Sequence, residues 1–311
     1  MNFSINVKVA VIAYIHSMKL TNCIVYVMIL ALPACLTGKS FQMVTGYITT
    51  KDASIYYQSV GEGEPLLLLH AGFQDNAMWQ SQVEELWEHF QVITIDLPGH
   101  GSTESDTVRS YPADFIKTVL DSLNISKTSI AGVSLGASCV TDFIIAHPEM
   151  VNKAILVAPG VNGWDRKFKI DTMLTNYVTS LFGALNNKDT AAAAEIFTKL
   201  WCDGPKRTPQ QVSDTVRNYV YNKTLTSMKQ HKVRGWPILA DPPAIENLDK
   251  IRVPLLIVDG DQDVPYINEA CSYIQSKVSG SKRITIPGTG HMLNMEDPKA
   301  FNKALLDFLK P

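Results

Sequence analysis

The segment Gly132-Val133-Ser134-Leu135-Gly136 sets a serine between two glycines. A hydroxyl is a weak nucleophile. It becomes effective beside a base, and the base needs an acid to fix its tautomer and to stabilise the cation it becomes. The setting of Ser134 suits that task. KTSIAG (127–132) reads as a strand, and a helix begins at about Leu135. A serine on a sharp strand-to-helix turn presents its hydroxyl outward, and flanking glycines keep side chains out of the crowded space. The helix N-terminus behind it favours developing negative charge. Ser138, one turn further on, is an ordinary helix residue.

Seven histidines compete for the role of base. His16 lies in the apolar N-terminal region and His231 in a helical block. His70 ends a strand, where a structural role is expected. His89 and His147 fall at helix ends, and His100 lies in the turn DLPGHGST. His291, in PGTGHMLNMEDP between the last strand and the last helix, is the one whose loop can carry an imidazole over the sheet edge. Loops held by a rigid scaffold commonly carry such residues. The acid is sought in VDGDQDVP, which follows an apolar strand and offers Asp259, Asp261 and Asp263. Asp259 belongs to the strand, and Asp261 suits a turn held by local backbone bonds. Asp263, furthest into the loop, is the choice, and it completes the chain order serine, acid, histidine. An oxyanion formed at Ser134 needs donors. The N–H of Leu135 is one. The loop His70-Ala71-Gly72-Phe73 supplies the other, expected at Phe73 because Gly72 permits a close approach.

These residues need a scaffold, and the apolar pattern describes one. SIYYQSV (54–60), PLLLLH (65–70), QVITID (91–96), KTSIAG (127–132), KAILVAP (153–159), VPLLIVDG (253–260) and RITIPG (283–288) read as strands. Short, nearly continuous apolar runs are expected where a parallel sheet is covered on both faces. Helices fall between them. One has Asn76 as its expected N-cap and apolar residues at Trp79, Val83, Leu86, Trp87 and Phe90. Others cover 111–123, run from Leu135 to the His147-Pro148 stop, and follow Asp297-Pro298. The rhythm breaks over 161–249, where helices follow one another without strands. Ile170, Met173, Leu174, Tyr177, Val178, Leu181, Phe182 and Leu185 recur at helical spacing there, and Thr208-Pro209-Gln210-Gln211 reads as a helix start. The expectation is an α/β protein with a mostly parallel sheet and helices on both faces. Its core is 42–160 and 250–311, with a helical cap at 161–249 over the carboxyl ends of the strands, where open α/β sheets take their ligands.

The ordered set LLLLHAGFQD, DLPGHGST, GVSLG, GDQDVP and GTGHMLN resembles the α/β-hydrolase superfamily over residues 45–311. It is most similar to the branch of bacterial esterases, 3-oxoadipate-type enol-lactonases and carbon–carbon bond hydrolases. The resemblance implies Ser134, Asp263 and His291 as triad and Phe73 with Leu135 as oxyanion hole. It also implies hydrolysis of a small carboxylic ester or lactone through an acyl-serine, without cofactor or metal. The family commonly has Gly directly after the histidine of the oxyanion loop; here Ala71 intervenes. The alternatives are hydrolytic carbon–carbon cleavage of a ring-fission product, or a ligand-binding receptor on the same scaffold. A serine nucleophile disfavours the dehalogenase and epoxide-hydrolase branches, whose nucleophile is an aspartate.

Composition bounds the rest. The chain has 311 residues, 46% hydrophobic and 19% charged, with formal net charge −2. That charge leaves no electrostatic footprint for nucleic acid. Trp164, Trp201 and Trp236 fall in the helical block and, with Phe73 and Trp79, suggest a mostly apolar pocket. Of five cysteines, Cys139, Cys202 and Cys271 match no metal pattern and read as buried free thiols. Lys19, the apolar run CIVYVMILAL (23–32) and the small residues of LPACLTGKS follow the order of a secretory signal. The expectation for 1–41 is a signal peptide or N-terminal anchor. Export is therefore expected, as a periplasmic, secreted or lipid-anchored protein; Cys35 lies in a lipoprotein-like box with an unusual proline, and lipid there would attach the N-terminus to a membrane. Met18 as the true start would give MKLTNC before the apolar run. The alternative to export is a cytoplasmic protein with a misassigned N-terminus.

Overall fold

The computed structural model describes residues 40–105, 110–168, 172–230, 238 and 240–310. The expected export signal with Cys23 and Cys35, and also Ile170, His231 and Trp236, lie outside the described residues.

One eight-stranded sheet organises residues 39–311, in the order β1-β2-β4-β3-β5-β6-β7-β8. The strands are β1 Val44–Thr49, β2 Ser54–Val60, β3 Glu64–Leu69, β4 Phe90–Ile95, β5 Thr128–Val133, β6 Val151–Val157, β7 Leu255–Gly260 and β8 Lys282–Ile286. β1 and β2 are antiparallel to each other and β2 is antiparallel to β4, whereas β4, β3, β5, β6, β7 and β8 run parallel. Leu66–Leu69 of β3 have no exposure, and every residue of β5 and β7 is buried. Successive side chains point to opposite faces, so such strands require cover on both.

Helices supply that cover: α1 Gln80–Leu86, α2 Pro112–Ser122, α3 Leu135–Ala146, and, beyond the insertion, α7 Pro265–Lys277, α8 Leu293–Glu296 and α9 Pro298–Leu309. The insertion leaves the sheet after β6 and returns at β7. It holds α4 Thr172–Asn186, α5 Thr190–Thr198, a π-helical turn Lys199–Asp203 and α6 Asp214–Gln230. The insertion therefore leaves from the carboxyl end of β6 and rejoins at the amino end of its parallel neighbour β7.

Several local expectations change. Asp75, not Asn76, provides the first cap: its carboxylate accepts the N–H of Ala77 at 3.2 Å, and a 3₁₀ turn Asn76–Trp79 precedes α1. Phe90 does not extend that helix; it opens β4 opposite Glu64 of β3. The capping box of Thr208 and Gln211 forms, but on a 3₁₀ turn that stops at Val212, so α6 starts at Asp214. On α4 only Leu174 is buried, while Val178 and Phe182 are exposed, so its apolar stripe is wider than the surface it covers. Cys139, Cys202 and Cys271 are free and buried.

Candidate active site

Ser134 sits between β5 and α3 with φ 54° and ψ −108°. A non-glycine residue there stores roughly 1–3 kcal/mol of strain and persists where the surroundings over-determine it. The surroundings are backbone. The N–H of Ser134 donates to the carbonyl of Val157 at 2.9 Å, and its own carbonyl accepts from Ser138 at 3.0 Å. The flanking glycines are required by distance. A Cβ on Gly132 would lie 2.3 Å from the carbonyl carbon of Gly136, and one on Gly136 would lie 2.3 Å from the carbonyl oxygen of Leu69. Those approaches press α3 against β3 and leave Ser134 only half-buried.

The expected base and acid meet. His291, in the loop after β8, places Nδ1 2.8 Å from Asp263 Oδ2 in the loop after β7, and both side chains are buried. A carboxylate accepts, so Nδ1 carries the proton and Nε2 is left as an acceptor. Asp263 Oδ1 accepts the N–H of Val264 at 2.7 Å, which fixes the carboxylate plane. The other two carboxylates are engaged elsewhere. Asp261 Oδ1 accepts the N–H of Gly288 at 2.7 Å, and its carbonyl accepts from Lys206 at 3.0 Å, so it holds the histidine loop. Asp259 is bound by Arg283, Thr285 and Asn268.

The loop after β3 carries its strain at Phe73, with φ 61°. The expected reason does not hold: Gly72 has no positive φ, and a Cβ there would meet only the Leu135 side chain, at 3.8 Å. Gly72 nevertheless lies beside the Leu135 side chain, so the two expected oxyanion donors, Phe73 and Leu135, stand on adjoining segments. His70 is a strut beneath them. Its Nε2 accepts the N–H of Leu97 at 2.9 Å and its Nδ1 donates to the carbonyl of Ala71 at 2.7 Å. Burial lowers its pKa to about 4, against the raising effect of the Ala71 bond, so it stays neutral. His100 packs edge-on to His70 and is pushed down to about 3 by burial and by His70. Asp96 ties two loops by accepting from Asn76 at 2.8 Å and Ser102 at 2.7 Å, and burial raises its pKa to about 6.

The insertion supplies residues that no motif singles out. Trp201, on the π-helical turn, lies with its ring centroid 4.5 Å from that of His291. Such turns are frequent at functional sites. Arg207, nearly buried, donates to the carbonyls of Cys202 at 2.7 Å, Asp203 at 2.8 Å and Gly288 at 3.0 Å, and it pairs with Glu296. Glu296 in turn accepts the N–H of Gly290 at 3.0 Å. The turn that carries Trp201 is thereby braced to the loop that carries His291. Phe197 of α5 packs edge-on to Phe73 at 5.2 Å. Trp164 does not join this group. It is buried against Phe168, Tyr266 and Tyr273 on the core side.

A parallel sheet with an inserted helical block, a strained serine between glycines and a buried histidine–aspartate pair define a hydrolase architecture. The family model described as alpha/beta hydrolase fold matches residues 64–298, and the chain belongs to that family. Similar proteins include carboxylesterase YbfK of Bacillus subtilis, 25% identical over 272 residues that make up 85% of this chain and 86% of the relative. Another is the pimeloyl-[acyl-carrier protein] methyl ester esterase of Aliivibrio fischeri, 26% identical over 261 residues, 82% and 97% of the two chains. The crystal structure of the Bacillus subtilis carboxylesterase superposes with a TM-score of 0.69 at 22% identity, covering 86% of this chain and 92% of that one.

Proposed function

We propose that the protein hydrolyses small carboxylic esters or lactones through an acyl intermediate on Ser134. The observation that carries this reading is the backbone of Ser134 at φ 54° on the strand–helix turn, with the His291–Asp263 pair, 2.8 Å apart, at the carboxyl ends of β7 and β8 of the same sheet. Ser134 Oγ attacks the substrate carbonyl carbon while His291 Nε2 takes the hydroxyl proton. The carbonyl electron pair moves to oxygen, and the N–H groups of Leu135 and Phe73 receive the oxyanion. Collapse expels the alkoxide, which takes the proton from His291. Water, deprotonated by the same imidazole, then attacks the acyl-serine and releases the acid. Asp263 stabilises the imidazolium in both halves without taking its proton. The esterase relatives support the ester bond as the one cleaved.

The described surroundings favour an uncharged or weakly charged substrate. Phe73, Phe197 and Trp201 supply aromatic surface. Among the described residues of the insertion, Lys223 is paired with Asp75, Arg207 with Glu296, and Arg217 with Asp203 and Glu195. A dianionic acyl group would draw on any of these three only by breaking its pair. Comparison of kcat/KM across acetate, butyrate, phenylacetate and palmitate esters of p-nitrophenol tests this. The short and aromatic acyl groups should exceed palmitate by about tenfold or more, since each misplaced apolar group shifts the barrier by about 1–3 kcal/mol. A preference for palmitate, or for a dicarboxylate lactone over all four, contradicts it.

A further inference from the structure

Helix α6 belongs to the insertion, yet four of its polar side chains reach the loop after β3. Ser227 Oγ donates to the carbonyl of Phe73 at 3.0 Å. Gln74 Nε2 donates to Oγ1 of the fully buried Thr224 at 3.1 Å. Tyr219 donates its hydroxyl to Asp75 Oδ1 at 2.8 Å, and Lys223 binds Asp75 Oδ2. Three consecutive loop residues, 73 to 75, are each gripped by the same helix. Residues 219, 223 and 227 repeat at four-residue intervals, which stacks them on one face, and Thr224 adjoins them. The charges follow the same plan. Burial acts against the Asp75 carboxylate, but Lys223 and Tyr219 outweigh it and hold its pKa below the ordinary value. Burial and the Asp75 charge push the Tyr219 hydroxyl well up, so it remains a donor.

The grip falls where the loop is strained. Phe73 holds φ 61°, a conformation that a bulky side chain leaves unless its neighbours prevent it. Within the loop, the backbone bond that opposes relaxation is Gln74 N–H to Ala71 carbonyl at 3.2 Å. The N–H of Phe73 lies in the peptide plane before its Cα, and its carbonyl lies in the plane after. Rotation of either plane about Cα re-aims the other group. Ser227 holds the second plane and the Phe197 ring holds the side chain, so the direction of the Phe73 N–H is set from the insertion.

We propose that α6 is the positioning element of the oxyanion hole, with Ser227, Thr224, Tyr219 and Lys223 holding residues 73–75 so that the Phe73 N–H meets the oxyanion formed at Ser134. The proposal rests on the reading of Ser134 as nucleophile and Phe73 as donor. These four act through Phe73 and are positioning residues; the insertion is then part of the catalytic machinery as well as a cover. A positioning role predicts a signature that a packing role does not. Loss of aim should weaken binding of a tetrahedral oxyanion mimic, such as a phenyl trifluoromethyl ketone, in step with kcat/KM, and leave KM for p-nitrophenyl acetate nearly unchanged.

The test compares full-length wild type with Ser227→Ala, Ser227→Thr, Tyr219→Phe and the double variant Ser227→Ala/Lys223→Met. Ser227→Ala should lower kcat by about tenfold and the double variant by about 100-fold, the latter reaching the lower end of the loss of about 10²–10³ that follows removal of one oxyanion donor. KM should stay within about twofold, and ketone inhibition should weaken by the same factors as kcat/KM. Ser227→Thr, which keeps the hydroxyl, should restore most of the activity. Tyr219→Phe, which removes a single oxygen, guards against misfolding of the double variant and should give a loss of the same character. Folded variants with kcat and ketone inhibition within twofold of wild type overturn the proposal. So does a fall in kcat that Ser227→Thr shares while ketone inhibition is unchanged. A wild-type protein that neither turns over p-nitrophenyl acetate nor binds the ketone removes the ester-hydrolase reading itself, a separate failure.

Discussion

Ser134→Ala should lower kcat on its best p-nitrophenyl ester by about 10⁴-fold or more while leaving the fold intact. Removal of a triad nucleophile in serine hydrolases elsewhere costs on that order, because attack then falls to water that the site does not position. The fold should survive because everything that holds residue 134 is main chain. The N–H to Val157, the carbonyl to Ser138 and the glycine contacts around it do not involve the hydroxyl. Alanine also fits the space that the serine Cβ already fills. Circular dichroism and thermal melting should therefore match wild type, which separates lost chemistry from lost structure. A variant that keeps turnover within tenfold would place the nucleophile elsewhere.

Asp263→Asn should lose about 10³–10⁴-fold in kcat, and Asp261→Asn less than about tenfold. The argument is one of tautomers. Asp263 Oδ1 is committed to the N–H of Val264, so an amide at this position would keep its oxygen there and turn its NH₂ toward His291. Nδ1 would then have to accept, the ring proton would move to Nε2, and the imidazole could no longer take a proton from Ser134. The corresponding substitution in a serine protease, with the geometry otherwise preserved, costs about 10⁴-fold. At position 261 an amide oxygen still accepts the N–H of Gly288, and the backbone carbonyl still accepts Lys206, so the histidine loop keeps its shape. Steady-state kinetics on the two variants decides between the carboxylates, and the opposite ranking would contradict the assignment.

Much of this arrangement is legible in the sequence, because the chemistry-bearing residues sit in short local patterns. Gly132 and Gly136 flank Ser134 in one five-residue segment, Asp263 follows the apolar strand β7, and His291 stands in a glycine-rich loop before the last helix. β3, β5 and β7 are readable because burial on both faces demands unbroken apolar runs. β1 is not: in VTGYIT only Ile48 is buried, so no apolar period marks it. The capping box at Thr208 does not mark the start of α6, because such a box stabilises any helical turn, including one that ends at Val212. Trp164 and Trp201 show the limit of composition. Trp164 packs into the core, Trp201 lies against His291, and nothing in either local sequence distinguishes them. Least legible is the grip of α6, whose bonds join residues 144 to 154 positions apart through polar side chains of ordinary type.

The most direct test of the central claim is covalent. Wild-type protein treated with a fluorophosphonate and digested for peptide mass mapping should carry one phosphonyl adduct, on Ser134, and Ser134→Ala should carry none. Ser138, four residues on and buried, serves as the internal control. An adduct on Ser138 or any other serine, or full labelling of the alanine variant, contradicts an acyl-serine mechanism at this site.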